Sequence, residues 1–465
     1  MKITQENLFA FQKKQEAKQE EQPLSSSSAA EDKKPLPVED TIDHNRFDWM
    51  TEYSISQPRN VLKYINQSKS DYRLTQFERT ASGEVRRKSI QYYKDLYKNS
   101  EGRKPNFFLA NQESVFAIKA LNRNEFTSKK GKRMVRYDIT LCDSTGELSF
   151  SIFPDNLDKL FPKPVGKMPV EIEAENDKML KNWKEWPFLH ICFDVSGNEY
   201  ASENFEFSIK SGEFVDFDQV NINELLETPY RQNALKMFDQ LYKEAEQLQD
   251  PVYRTITTFL LEQNKEGFLY MPAAKTVHEE NVGGLLEHTL RVLQFCKGFA
   301  AYPNDPINTD LLYAGAILHD IGKLVEFDPS QNGLVGAYSA AGNLMGHLHI
   351  GASVVEKAYA QCIKIQEIDG TGGIKQTKES NEKIACLCHM ILSHHKEPEY
   401  GAVVRPMILE AVLLHEADTV DTAIKGYAKA YADAEAGQMA TKKSYFLGNV
   451  FVYRPSSVTD DKVQQ

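Results

Sequence analysis

The hydrophobic period changes once along this chain, and the change dictates its architecture. Between residues 106 and 206 apolar side chains recur at every second position. Tyr137, Ile139 and Leu141 alternate with Asp138, Thr140 and Cys142; the turn Asp143-Ser144-Thr145-Gly146 follows; then Leu148, Phe150 and Ile152 alternate with Glu147, Ser149 and Ser151. Side chains of a strand point alternately to its two faces, so this is a predicted hairpin with one buried face. Ser114 to Leu121, Val170 to Ala174 and Phe188 to Val195 read as further strands. About five short strands in about 100 residues is the size of a small barrel. After Asn221 the spacing becomes helical, with Leu225, Leu226, Ala234, Met237, Phe238, Leu241 and Tyr242 three and four apart. Helix is expected from there to about Tyr453, interrupted by the glycine-rich loop Asp369-Gly370-Thr371-Gly372-Gly373. The fold class is multidomain α+β, a small antiparallel β-barrel followed by an all-α domain.

At 465 residues the chain exceeds what one hydrophobic core supports. Residues 1–45 mix Lys, Glu and Gln with SSSSAAEDKKPLPVED, a composition that cannot offset chain entropy by burial and is read as a disordered tail. Residues 46–105 carry scattered aromatics among charges and are read as an accessory helical segment. The barrel is assigned to 106–210, a helical connector to 211–269, the all-α domain to 270–453 and a C-terminal tail to 454–465.

A net charge of −11 excludes a protein that coats nucleic acid through a global positive field, while allowing a local basic groove. The six cysteines are scattered through apolar contexts and read as reduced thiols of a cytoplasmic protein. Cys386-Leu387-Cys388-His389 matches no common zinc spacing. No run reaches the ~18 apolar residues of a membrane span, so no membrane partner is expected.

Nine of the eleven histidines follow residue 270, and most sit beside apolar helical runs. In AILHDIGKL, residues 316–324, an imidazole and a carboxylate stand side by side in a stretch bound for the core. A buried aspartate without compensation costs several kcal/mol or loses its charge, and a metal ion would compensate it. Neighbours on a helix point about 100° apart, so His319 and Asp320 are expected to reach one cluster spread across the helix face, not each other. Two divalent ions need nitrogen and oxygen ligands from several helices. The chain offers His288, His319, Asp320, His347, His394 or His395, and Asp418.

The order H…HD…H…H…D resembles the HD-domain superfamily of metal-dependent phosphohydrolases. The wording GGLLEHT at 283–289, Tyr338 through Gly342 leading to Gly346-His347, LSHH at 392–395, and Leu409-Glu410-Ala411 with Leu414-His415 leading to Asp418 and Asp421 is similar to the YhaM-type 3′-to-5′ exoribonucleases. In that family an OB-fold domain precedes an HD domain. The resemblance covers about Asn106 to Tyr453. It implies His288, His319, Asp320, His347, His394 and Asp418 as metal ligands, with Asp320 also catalytic and His395 facing the substrate phosphate. His349 and His415 are assigned to structure or to support of the ligands, and His389 to the core. Where the family tends to show two adjacent histidines before the glycine pair, this chain has His278-Glu279. Lys323 is expected on the same helix side as His319, where its ammonium could stabilise charge on a phosphate.

Lys129, Lys130, Lys132, Arg133 and Arg136 cluster before the best strand, a pattern able to track a phosphate backbone. Trp183 and Trp186, in a predicted loop, could stack on bases or plug the barrel end. The function expected is a two-metal 3′-to-5′ exoribonuclease acting on single-stranded RNA, with single-stranded DNA as a second substrate. Mixed imidazole and carboxylate ligands suit Mn²⁺ first, then Fe²⁺ or Co²⁺. The alternatives are a phosphohydrolase of small nucleotides and a non-catalytic single-strand-binding adaptor.

Overall fold

The computed structural model describes residues 88–100, 107–128, 131, 133–153, 183, 187–199, 203–226, 234–275, 281–302, 304–330, 332–370, 373–432, 434–440, 443–444 and 447–459. The two-residue period becomes a five-stranded antiparallel sheet made of β1 (Phe108–Thr127), β2 (Arg133–Asp143), β3 (Gly146–Ile152), β4 (Phe188–Gly197) and β5 (Phe205–Val215), ordered β3-β2-β1-β4-β5. The hairpin has the expected register, with Tyr137 opposite Ile152 and Asp143 opposite Gly146. Val170 to Ala174 lies outside the described residues. β5 went unassigned in the sequence, although Phe205, Phe207 and Ile209 point inward between Glu206, Ser208 and Lys210. It also runs past the boundary drawn at 210.

β1 pairs with β4 along its first half and with β2 along its second, with a register shift between Ile118 and Ala120. Its centre is buried on both faces. Phe116 and Ile118 enter an aromatic core with Phe193, Phe205 and Phe207, while Val115 and Ala117 join the core of the helical part. Phe193 and Phe207 lie 4.2 Å apart between ring centroids, and Phe150 of β3 meets Phe207 of β5 at 6.2 Å. Fully burying one such ring stabilises by about 1.5–3 kcal/mol. Within the segment expected to be helical, α1 (Ile90–Lys98) starts at the Ser89 cap and sends Ile90 and Tyr93 into this same core.

The helical part comprises α2 (Ile222–Leu225), α3 (Ala234–Glu246), α4 (Pro251–Gln263), α5 (Lys265–Tyr270), α6 (Gly284–Phe299), α7 (Thr309–Leu318), α8 (Lys323–Glu326), α9 (Ala340–Asp369), α10 (Lys378–Ser393) and α11 (Leu409–Ala432). Their starts follow capping chemistry. Asp250 accepts from the amides of Val252 and Tyr253 before Pro251 opens α4, Asn308 accepts from Leu311 at α7, and Thr377 and Ser380 form a reciprocal capping box at α10. α7 is apolar nearly all round, as a central helix must be, and packs against α4, α6, α10 and α11. Among the described residues, no helix is long and apolar enough to cross a membrane.

Two stretches expected to be helical are not. Residues 434–440, 443–444 and 447–453 form turns and isolated bridges. Residues 327–338 form a hairpin, β6 (Phe327–Pro329) with β7 (Val335–Tyr338), because Asn332-Gly333 supplies a turn in which Gly333 takes φ +83°. Asn332 is fully buried and donates its amide to the carbonyls of Ile118 and Pro187, both at 2.9 Å. Its Oδ1 accepts from Ser330 Oγ and from the Leu334 amide. The hairpin thereby joins the sheet, at the register shift of β1, to the helical part.

Candidate metal centre

α7 ends where the chemistry begins. From Leu318 onward the chain winds with i→i+3 hydrogen bonds, Ile321 to Leu318 and Lys323 to Asp320, in place of the α-helical pattern. The expectation that AILHDIGKL is one continuous helix is therefore corrected. The tighter winding turns His319 and Asp320 together, and His319 Nε2 lies 3.3 Å from Asp320 Oδ2. Lys323 opens α8 and donates to Asp320 Oδ2 at 2.7 Å. This turn requires close backbone approach: a Cβ on Gly322 would stand 2.0 Å from the carbonyl oxygen of His347.

The other side chains arrive from distant elements. His288 is on α6, His347 follows the break of α9 at Gly346 (φ +67°), His394 and His395 follow α10, and Asp418 is on α11. His288 Nε2 lies 3.2 Å from His319 Nε2, 3.3 Å from Asp418 Oδ1 and 3.5 Å from Asp320 Oδ2. On the other side of Asp320, its Oδ1 lies 3.6 Å from His347 Nε2 and 3.8 Å from His394 Nε2. The structure thus brings together His288, His319 and Asp320 in one group, with Asp418 beside it, and His347, His394 and His395 in a second.

In every one of these imidazoles Nδ1 is already committed. His319 donates to Ala316 O at 2.9 Å, His394 to Ile391 O at 2.9 Å, and His395 to Tyr400 O at 3.0 Å. A carbonyl oxygen can only accept, so the proton sits on Nδ1 and Nε2 is a bare lone pair. His288 Nδ1 meets Asp421 Oδ2 at 2.9 Å, and His347 Nδ1 meets Glu326 Oε1 at 3.1 Å. Arg291 holds the other oxygen of Asp421. A carboxylate or carbonyl behind each ring is how proteins orient metal-binding histidines.

This donor set fits divalent cations. Two bare nitrogens 3.2 Å apart, as in His288 and His319, repel unless a cation lies between them. At a metal–nitrogen distance of about 2.1 Å, two ligands on one ion stand about 3.0 Å apart at a right angle and about 3.4 Å apart in a tetrahedron. Asp320 Oδ1 and His347 Nε2 are buried with no hydrogen-bond partner. Buried polar atoms are nearly always satisfied, so the pair fits a cationic partner. Burial opposes ionisation of Asp320, yet Lys323 and His319 hold its carboxyl well below the usual range. Burial and the facing His319 and His395 hold His394 well below the usual imidazole value, so it is neutral and able to donate. Asp418 is lowered too, its desolvation outweighed by the bond to His288.

Glu326, Asp421 and Arg291 were not among the expected site residues. Asp421 stood in the quoted wording without a role. Glu326 had no sequence signal, because its partner His347 lies 21 residues away and becomes reachable only through the break at Gly346. His415 donates to the backbone carbonyl of His394 at 2.7 Å, His389 accepts from the Met407 amide, and His349 is exposed.

On the sheet, Arg133 and Arg136 are exposed, but Arg133 pairs with Glu125 and Arg136 with Asp138. Lys129, Lys130, Lys132, Trp186 and His278-Glu279 lie outside the described residues. Trp183 is a correction: it is 6% exposed within the aromatic core, so the indole fills the sheet's interior and is closed to bases.

Residues 285–423 match the HD domain, which makes the chain an HD-domain hydrolase with imidazole and carboxylate clusters of the kind that hold divalent metal. A 3′-5′ exoribonuclease YhaM from a Geobacillus strain is 34% identical over 243 residues, 51% of this chain and 67% of that protein. The Bacillus subtilis YhaM is 34% identical over 241 residues, 51% of this chain and 69% of its own length, and a Listeria monocytogenes YhaM is 32% identical over 241 residues, with 51% and 70% covered. The chain belongs to the YhaM family. No solved structure matches it.

Proposed function

We propose that the chain is a metal-dependent 3′-to-5′ exoribonuclease that hydrolyses single-stranded RNA, and single-stranded DNA as a second substrate, to mononucleotides. The reading is carried by one observation: the two oxygens of Asp320 are divided between two clusters of bare imidazole nitrogens. His288, His319, Asp320 and Asp418 would hold one ion, and Asp320, His347 and His394 the other, with Mn²⁺ preferred for this nitrogen and oxygen set and Fe²⁺ or Co²⁺ as alternates. Bound there, such ions would supply Lewis-acid charge, making water a nucleophile near neutral pH and neutralising the leaving oxygen.

The chain's own groups do the rest. Lys323 stays protonated because Asp320, beside it, outweighs its burial. Its ammonium is placed to steady charge on the phosphoryl oxygens. His395 has a bare Nε2 at the outer side of the second cluster, 5.1 Å from the His347 ring. It is placed to face the scissile phosphate, where water adds to phosphorus, the bond to the 3′ oxygen breaks, and that oxygen leaves with a proton. The five-stranded sheet is the OB-type module that feeds the strand inward, with Arg133 and Arg136 exposed on its surface.

The deciding experiment incubates single strands labelled at either end with Mn²⁺. A labelled mononucleotide released first from the 3′ label, with gradual shortening of the 5′-labelled strand, supports the reading. Intact strands alongside hydrolysed free nucleotides would make it a small-nucleotide phosphohydrolase, and binding without any cleavage an adaptor.

A further inference from the structure

Next to the segment that carries Glu326, which bonds His347, lies an aromatic side chain with no part in the ligand set. Tyr338 ends β7 and remains 41% exposed, whereas its strand partner Phe327 is buried. The two rings touch at 5.7 Å, which fixes the tyrosine in place. The backbone just beyond it is pinned to α8: the Ser339 amide donates to Glu326 O at 2.9 Å and Ser339 Oγ to Val325 O at 2.7 Å. Glu326 in turn holds His347, so ring and centre share one rigid frame. The phenol senses both flanks of the site, since burial and Glu326 raise its pKa while Lys323 lowers it. On the open side, Lys275 Nζ stands over the ring, 5.3 Å from its centroid.

We propose that Tyr338 is the stacking platform for the 3′-terminal base of the bound strand, with Lys275 taking a phosphate of the same end. A tyrosine face accepts any base, which suits a site that must process every sequence. The lysine now over the ring shows that this face is electron-rich and reachable, and its flexible stem lets it yield to a base and move to a phosphate oxygen. The hairpin also gives this platform its address. It is the element that Asn332 ties to the sheet, and β7 itself packs against β1. The inference rests on the nuclease reading only in taking the ligand to be a polynucleotide end.

The test uses RNA carrying 2-aminopurine as its 3′-terminal base, titrated with the full chain in EDTA so that binding is read without turnover. Wild type and Tyr338→Phe should quench the probe alike. Tyr338→Ala should lose the quenching and bind about tenfold more weakly, and Lys275→Ala should weaken binding with the quenching retained at saturation. Quenching by Tyr338→Ala equal to wild type overturns the proposal. To guard against a misfolded variant, a 3′-terminal 5-iodouridine is photo-crosslinked to wild type: attachment at Tyr338 supports the platform and attachment elsewhere overturns it. A chain that quenches the probe but leaves RNA intact in Mn²⁺ refutes the nuclease reading alone, and one that cleaves without quenching refutes the platform alone.

Discussion

Asp320 Oδ1 and His347 Nε2 face each other across 3.6 Å, and neither has a hydrogen-bond partner. The arrangement leaves two lone-pair donors aimed at one point inside the protein. Replacing Asp320 with Asn keeps the shape but puts an amide where one carboxylate oxygen was, and an amide nitrogen does not ligate. Asp320→Asn therefore takes a ligand oxygen from one cluster and the negative charge from both, and should show a fall in bound Mn²⁺ by elemental analysis together with loss of hydrolysis.

The groups behind the rings should separate the two clusters. Glu326 supports only His347, and Asp421 supports only His288. Glu326→Ala and Asp421→Ala should each weaken one metal site by about 10–100-fold and leave the other near its wild-type affinity. Calorimetric titration of Mn²⁺ into each variant checks this; equal weakening of both sites in either variant would refute the division.

Gly322→Ala should be costly for its size. The added methyl meets the His347 carbonyl at 2.0 Å, a backbone atom that cannot swing aside. Overpacking of this kind costs about 1–3 kcal/mol. Denaturant unfolding should show that loss, and Mn²⁺ should no longer raise the thermal midpoint, because the clash drives His347 away from Asp320.

Asp250 gives a pH-dependent prediction away from the metal. It caps α4 and pairs with Lys383 of α10 at 2.6 Å. Burial would raise its pKa, but Lys383 and the two capped amides bring it below the ordinary value. A depressed folded pKa means the stabilisation is present above the unfolded carboxylate pKa and is lost as pH falls through the folded value. Asp250→Ala should cost about 1 kcal/mol near pH 7. Asp250→Asn, which still caps, should cost less, and its deficit should vanish as the medium is acidified below the carboxylate range. Urea midpoints measured across pH decide it.

Much of this architecture was legible because its signals are local. The alternation around Tyr137 and Ile152 needs only neighbours to read, as does the apolar run of α7, and the His319-Asp320 couple stands out against that run. What stayed hidden depends on tertiary placement. The i→i+3 winding after Leu318 follows from how closely Gly322 must approach His347. The β6–β7 hairpin was written in Asn332-Gly333 but masked by helical surroundings. Trp183 could not be sorted between surface and core from WKEW alone, since an indole serves either, and the packing put it inside.

Asn332 is satisfied on every hydrogen-bonding position only while the sheet's Ile118 and Pro187 carbonyls are present. The two modules are not freely interchangeable: a helical half joined to a foreign sheet would carry an orphaned amide in its interior.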